Sequence, residues 1–200
     1  GAMSKPKSKP KKKPQKTTKH KTRLPGDPDR GQDIERMIRV DHAGEYGAVR
    51  IYEGQLSVLG QSANAPVIEH MAEQERRHLD TFNKMVPGRR VRPTALLPLW
   101  HAAGFALGAG TALLGEKAAM ACTVAVEEVI DEHYADQIAR LDADGGEGDL
   151  RDTLEEFRRE EVEHKQTGLD HGAEDAPGFE LLTGAVKAGS RLAIWLSTRI

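Results

Sequence analysis

Two copies of Glu-x-x-His, 86 residues apart, limit what this chain can become more than any other feature. The first is Glu75 with His78 and the second is Glu161 with His164. Each pair sits in the middle of an apolar stripe. Val67, Met71, Phe82 and Met85 extend the stripe around the first pair at steps of three and four residues, which is one face of an α-helix. Leu150, Leu154, Phe157, Gly168 and His171 do the same around the second. Two more stripes carry one central acid each: Glu45 shares a face with Ile34, Ile38, Asp41, Ala48, Tyr52 and Leu59, and Glu127 with Met120, Thr123, Ile130, Tyr134 and Leu141. Four carboxylates and two imidazoles thus aim at one interior. A buried, unpaired carboxylate costs several kcal/mol or takes up a proton. The set is tolerable around cationic charge, and two divalent metal ions supply it.

The helical period runs from Gly31 onward, and no segment alternates with the period of two of a half-buried strand. The spacing predicts helices over about 32–60, 65–86, 95–114, 116–143, 149–171 and 177–199. Gly60, Pro87-Gly88 and Asp144-Gly145-Gly146 act as stops, Pro66 and Pro177 occupy first turns, and Asp149 is an N-cap. The first two helices, and the fourth and fifth, make two long hairpins with the third as a crossover between them. The expected fold is all-α: a ferritin-like four-helix bundle with a hydrophobic crossover helix and a C-terminal amphipathic helix.

Charge separates a tail from a body. Residues 1–30 hold 11 basic and 2 acidic side chains, a net of +9, whereas residues 31–200 hold 18 and 29, a net of −11. The first segment, rich in Lys and Pro, has little to bury and is read as a disordered basic tail; 31–200 is read as the folded domain. The tail lacks the apolar run of a secretory signal. Its charge suits an anionic lipid surface, or it is a solvated arm with no role. An aromatic content of 4% gives no stacking surface, so no nucleic-acid partner is expected. Cys122 is the only cysteine, which excludes an intramolecular disulfide and a thiolate-built zinc or iron–sulfur site; it reads as a small buried apolar residue.

Oxygen and imidazole ligands suit iron or manganese. One Glu from each of two helices plus Glu-x-x-His from the other two is the dinuclear carboxylate arrangement of ferritin-like bundles. Glu45, Glu75, His78, Glu127, Glu161 and His164 are therefore the candidate metal ligands. Glu155, Glu156 and Glu163 lie off the stripes and read as solvated. Glu160 and Gln74 each precede a ligand Glu and either hold the imidazole of the opposite helix or lie on the surface. Asp41 and His42 support the ligands or join helices. Tyr134, two turns beyond Glu127, lines an active cavity or packs the core. His133 is one position off that face, and His70 and His20 read as exposed.

Thr94 to Gly115 is 22 residues without a formal charge apart from His101. As a helix it would measure about 33 Å at 1.5 Å per residue, against a hydrocarbon layer of about 30 Å. Pro98 and the glycines at 104, 108 and 110 weaken a span, and a span would separate two hairpins that share one site. Burial or shallow insertion is expected instead, with Leu97, Trp100 and Phe105 facing lipid. The last helix, with Leu181, Leu182, Leu192, Trp195, Leu196 and Ile200 beside Lys187, Arg191 and Arg199, reads as interfacial or as ordinary core. Arg89, Arg90 and Arg92 would meet lipid phosphates.

Four segments carry a family resemblance: Val40-Asp41-His42-Ala43-Gly44-Glu45-Tyr46-Gly47-Ala48, Arg92-Pro93-Thr94 through Pro98-Leu99-Trp100, Gly104 through Gly115, and Ala121-Cys122-Thr123-Val124-Ala125-Val126-Glu127-Glu128. Together they resemble the demethoxyubiquinone hydroxylase family of ubiquinone biosynthesis, over about residues 33–200. The resemblance implies a di-iron monooxygenase, peripheral on a membrane, that uses O2 to hydroxylate 3-demethoxyubiquinol, a polyprenyl benzoquinol, to 3-demethylubiquinol. It implies two iron ions on the six ligands above, electrons from NADH relayed by the quinone, and roles for Tyr134 and His133 in electron or proton supply. It places the chain on membrane lipid at the cytoplasmic face of the cell membrane, or at the matrix side of the mitochondrial inner membrane. A lipid-binding partner protein and a homo-oligomer remain open. A soluble ferroxidase or iron store would use the same ligands but has no need of the apolar crossover. A manganese catalase-like enzyme shares the ligand set too, whereas a rubrerythrin-like one brings cysteine pairs that are absent here. A lipid-binding scaffold with decayed ligands is disfavoured because all six ligands stand.

Overall fold

A computed structural model describes residues 29–200; the basic tail, apart from Asp29 and Arg30, and the exposed reading of His20 lie outside them. The helices are α1 (Arg30–Leu59), α2 (Ala65–Gly88), α3 (Leu97–Leu113), α4 (Glu116–Asp144), α5 (Gly148–Asp170) and α6 (Phe179–Ser197), with a short 3-10 turn at Ala173–Asp175. No strand occurs among the described residues.

Local chemistry sets the ends. The Asp29 side chain accepts the Gln32 N–H at 2.9 Å, and the Gln32 side chain accepts the Asp29 N–H at 3.1 Å. This reciprocal cap satisfies two donors at the start of α1. Pro66 occupies the first turn of α2 as expected. Pro87 does not stop α2 but lies inside its last turn. The carbonyl its ring deprives of a donor belongs to Asn83, which is exposed to water. Asp149 is not the N-cap of α5; Glu147 is, and Asp149 sits in the first turn, where its charge meets the positive helix end. Pro177 precedes α6, whose N-cap is Gly178 at φ 67°, a left-handed conformation open to glycine.

Cross-helix contacts give the topology. Tyr52 reaches Glu127 and Tyr134 reaches Glu45, so α1 and α4 run antiparallel. Gln74 meets His164 and Glu160 meets His78, so α2 and α5 do too. The crossover α3 runs parallel to α1 and returns the chain to the end from which α4 can descend. Small residues allow it to approach closely. A Cβ at Gly108 would lie 1.9 Å from the Ile51 carbonyl oxygen, and one at Gly104 would lie 2.9 Å from that of Gly47. The glycines that weaken a membrane span are thus packing residues against α1.

No described helix is long and apolar enough to cross a membrane. The expected lipid-facing set on α3 needs correction. Leu97 and Trp100 lie seven and four residues before Gly104, on the side that meets the bundle, and are half-buried. Phe105 lies under the Arg50 guanidinium, 5.0 Å from its ring centre. The large apolar residues exposed there are Leu99, Leu113 and, just past the helix end, Leu114. On α6, Thr183, Val186 and Ser197 are buried, while Leu181, Leu192 and Trp195, and Ile200 beyond the helix end, are exposed. Lys187 and Arg191 pair with Glu128 at 2.7 Å and Glu132 at 3.0 Å on α4, and Arg89 pairs with Glu147. These three basic groups are engaged within the fold.

Candidate metal centre

The four stripes converge between two core clusters. Ile38, Phe82, Leu150 and Leu154 belong to one cluster, and Ile68, Met71, Ala119 and Met120 to the other. Glu45, Glu75, His78, Glu127, Glu161 and His164 all meet there, none more than 2% exposed. They form two groups, Glu45–Glu75–His78–Glu161 and Glu75–Glu127–Glu161–His164, whose candidate ligand atoms lie within 4.8 Å of one another in each group.

The middle carboxylates face both ways. Glu75 places Oε2 3.8 Å from His78 Nδ1 and Oε1 3.0 Å from His164 Nδ1. Glu161 places Oε1 3.2 Å from His78 Nδ1 and Oε2 3.3 Å from His164 Nδ1. Glu45 Oε2 lies 3.4 Å from His78 Nδ1, and Glu127 Oε1 lies 4.0 Å from His164 Nδ1. Separations of about 3 Å are the edges of a coordination polyhedron with bonds of about 2.1 Å.

Eight buried atoms of this set have no hydrogen-bond partner: Glu45 Oε2, both oxygens of Glu75, His78 Nδ1, Glu127 Oε2, both oxygens of Glu161, and His164 Nδ1. All belong to the six convergent side chains, and the remaining polar atoms are held from outside. His78 Nε2 lies 2.8 Å from Glu160 Oε2, and His164 Nε2 lies 3.1 Å from Gln74 Oε1. The Tyr134 hydroxyl donates to Glu45 Oε1, and the Tyr52 hydroxyl donates to Glu127 Oε1 at 2.7 Å. Each outer contact leaves a lone pair pointing inward, so the donor set fits two divalent ions.

The electrostatics agree. Burial, followed by the neighbouring carboxylates, pushes Glu127 well above the usual carboxylate range. Burial raises Glu45 as well, against the opposing pull of His78. Burial alone would lower both imidazoles, but the facing carboxylates reverse it, holding His78 above its usual value and His164 at about 9. This concentration of acids is one that metal ions relieve.

His133 is outside the group of six. It is half-buried, and its Nε2 lies 3.0 Å from Asp41 Oδ1, which also accepts the Gln137 amide at 2.8 Å. Asp41 thus ties α1 to α4. His42 meets Asn83 of α2 at 3.0 Å. Cys122 is buried, which pushes its thiol up to about 12, and His70 is exposed.

Tyr52, Gln55 and Gln137 were legible only as stripe residues or not at all. A longer repeat marks them: Glu45-x6-Tyr52-x2-Gln55 on α1 recurs as Glu127-x6-Tyr134-x2-Gln137 on α4, 82 residues later. Gln55 donates to Thr123 Oγ1 at 3.3 Å, as Gln137 does to Asp41. The two halves are therefore built alike, with Asp41 and Thr123 in corresponding places.

Beside the group lies an apolar cavity of about 410 Å3 between α1, α3, α4 and α6. Its wall includes Gly44 and Ala48, which flank Glu45, and Val126 and Ile130, which flank Glu127. Trp100 and Ser197, joined by an indole N–H to hydroxyl bond of 2.9 Å, line it from α3 and α6. The volume suits an aromatic head group.

The family model described as Ubiquinone biosynthesis protein COQ7 matches residues 32–197. A Rhodospirillum rubrum protein named 3-demethoxyubiquinol 3-hydroxylase is 62% identical over 179 residues, covering 89% of this chain and 84% of its own. A mouse protein named NADPH-dependent 3-demethoxyubiquinone 3-hydroxylase, mitochondrial, is 56% identical over 168 residues, covering 83% of this chain and 77% of its own. A Saccharomyces cerevisiae protein named 5-demethoxyubiquinone hydroxylase, mitochondrial, is 43% identical over 182 residues, covering 84% and 78%. With the family model spanning α1 to α6 and identities of this size, the chain belongs to the COQ7 family of ubiquinone biosynthesis proteins.

Proposed function

We propose that this chain is a di-iron 3-demethoxyubiquinol 3-hydroxylase, which uses O2 to hydroxylate the ring of a polyprenyl benzoquinol in ubiquinone biosynthesis. The observation that carries the metal reading is the convergence of eight unpartnered ligand atoms on one interior point. The relatives' names support the substrate, and the apolar cavity beside the ligands supports a ring-bearing, lipid-like molecule rather than a free ferrous ion as in a ferroxidase.

In this reading Glu45, Glu75, His78 and Glu161 would hold one ion, and Glu75, Glu127, Glu161 and His164 the other. Iron held there would supply the redox chemistry for a monooxygenation, in which one atom of O2 enters the ring C–H bond and the other leaves as water with two electrons and two protons. The protein supplies geometry and a dry wall. Glu160 and Gln74 fix the Nε2 protons so that each Nδ1 lone pair points inward. Tyr134 and Tyr52 orient Glu45 and Glu127. Ala48, Gly47, Val126 and Ile130 exclude water and hold the ring beside Glu45 and Glu127. His133, half-exposed and bonded to Asp41, is the entry point for protons on the Glu45 side. The electron donor is a reduced nicotinamide. NADH follows from the resemblance, whereas the mouse relative's name gives NADPH. The chain works as a peripheral protein on membrane lipid, at the cytoplasmic face of a bacterial membrane or the matrix side of the mitochondrial inner membrane.

Expression in a host that lacks this step tests the assignment. Demethoxyubiquinone is expected to disappear and ubiquinone to return. Persistent demethoxyubiquinone with soluble, iron-loaded protein overturns the substrate.

Two substitutions separate the cavity from the ligands. A Cβ at Gly47 meets no heavy atom within 4 Å, so Gly47→Leu fills open cavity without a clash at its first atom. Turnover is expected to fall at least about tenfold while iron content stays at the wild-type level; unchanged turnover would place the ring elsewhere. Tyr134→Phe removes the donor to Glu45, a hydrogen bond to a charged group worth about 1.5–3 kcal/mol. Single-turnover hydroxylation should slow about tenfold or more with both irons retained. Wild-type rates would make Tyr134 a packing residue.

A further inference from the structure

We propose that the two metal positions are unequal and that Glu160 makes the His78 position the tighter one. This rests on the dinuclear reading above and adds a ranking to it. The two halves of the site correspond part for part, since Glu45, Tyr52 and Gln55 recur as Glu127, Tyr134 and Gln137, and Glu75 and His78 recur as Glu161 and His164. The residue before each bridging Glu, which holds the imidazole of the other half, breaks the correspondence. It is Gln74 behind His164 and Glu160 behind His78.

The chemical difference is a charge. His78 Nε2 faces a carboxylate oxygen at 2.8 Å, while His164 Nε2 faces a neutral amide oxygen at 3.1 Å. Hydrogen bonds to an ionised acceptor are shorter and about twice as strong as neutral ones. An acceptor behind a ligating imidazole raises its basicity, and loss of such a partner lowers metal affinity about 10–100-fold.

Two further contacts favour the His78 side. Arg77 donates to both oxygens of Glu160, at 3.2 and 3.0 Å, and holds the carboxylate in place behind His78. The His78 ring also stacks on Phe157 with centroids 3.9 Å apart, so it is fixed before metal arrives. His164 meets Tyr52 only edge-on, at 6.2 Å.

Anaerobic titration of the metal-free full chain with cobalt(II), followed by calorimetry and visible absorption, tests this. Wild-type protein should bind two cobalt ions in steps at least about tenfold apart. Glu160→Gln should weaken the first step about tenfold or more and close the gap. Gln74→Glu should strengthen the second. The double exchange should restore the gap with the order reversed, so that His78→Ala then removes the weaker step. Arg77→Gln, which removes the ion pair but leaves the carboxylate behind His78, should narrow the gap by less than Glu160→Gln does. Equal steps in the wild type, or a Glu160→Gln variant that still shows the wild-type gap, overturns the ranking. An Arg77→Gln variant that closes the gap as far as Glu160→Gln also overturns it, because the ion pair then acts through structure. Absence of any cobalt binding overturns the dinuclear centre itself.

Discussion

Glu161→Ala is expected to lose both metal ions and all hydroxylation. Glu161 turns one oxygen toward each imidazole, 3.2 Å from His78 and 3.3 Å from His164, so its removal strips a ligand from both positions at once. Loss of a mere support behind a ligand costs about 10–100-fold in metal affinity, and loss of a bridging ligand costs more. Glu45→Ala, which removes a ligand from one position only, should retain about one ion per chain. Removing one partner from a buried charged set costs about 3–5 kcal/mol, so helix content is measured alongside, and Glu161→Gln, which keeps the side chain's volume, should lose metal as well. Iron per chain, helix content and quinone products are the measurements. Glu163→Ala, exposed on the same helix, should match the wild type. Two irons and normal turnover in Glu161→Ala would end the assignment of the site.

The convergence of the six polar side chains was legible because burial and polarity conflict at those positions. Glu75 and His78 stand where the stripe from Met71 to Phe82 demands apolar groups, a conflict that a shared cation would relieve. The outer contacts were half legible. Glu160 and Gln74 were visible as neighbours of ligand acids, but whether they turned inward depended on how α2 and α5 face each other. Tyr52 looked like core because a tyrosine at a stripe position has an ordinary place there; the repeat with Tyr134 was the signal that distinguishes it. The outward side of the crossover was not legible in its composition. Apolar content along Leu97–Leu113 shows that the helix is buried or lipid-facing, but not which side is which. That depends on Gly104 and Gly108, whose missing side chains bring α3 against α1 and turn Leu97 and Trp100 toward the bundle. The capping changes at Pro87, Asp149 and Pro177 moved helix ends by a few residues without moving a ligand.

The corrected outer surface carries the second large effect. Leu99 on α3 and Trp195 on α6 are each 52% exposed, and their helices meet through the Trp100–Ser197 bond at the cavity wall. A polyprenyl chain attached to a ring in that cavity would leave it between these two helices, across apolar groups that water does not favour. If the surface rests in lipid, a carboxylate placed there must be dragged from water, which costs about 2.5–3.5 kcal/mol at a bilayer centre and less near the headgroups. Leu99→Glu and Trp195→Glu should therefore each reduce binding to neutral vesicles about tenfold or more, and the pair should abolish it. Turnover of a long-tailed quinol should fall in parallel, while a short-tailed, water-soluble analogue keeps its rate and iron stays bound. Leu99→Lys and Trp195→Lys distinguish burial from repulsion: they should fail on neutral vesicles too and regain part of the binding on anionic ones. Because both residues point away from the ligands, unaltered vesicle binding in the double variant would mean that this surface does not meet lipid, and the quinol would have to reach the cavity by another face.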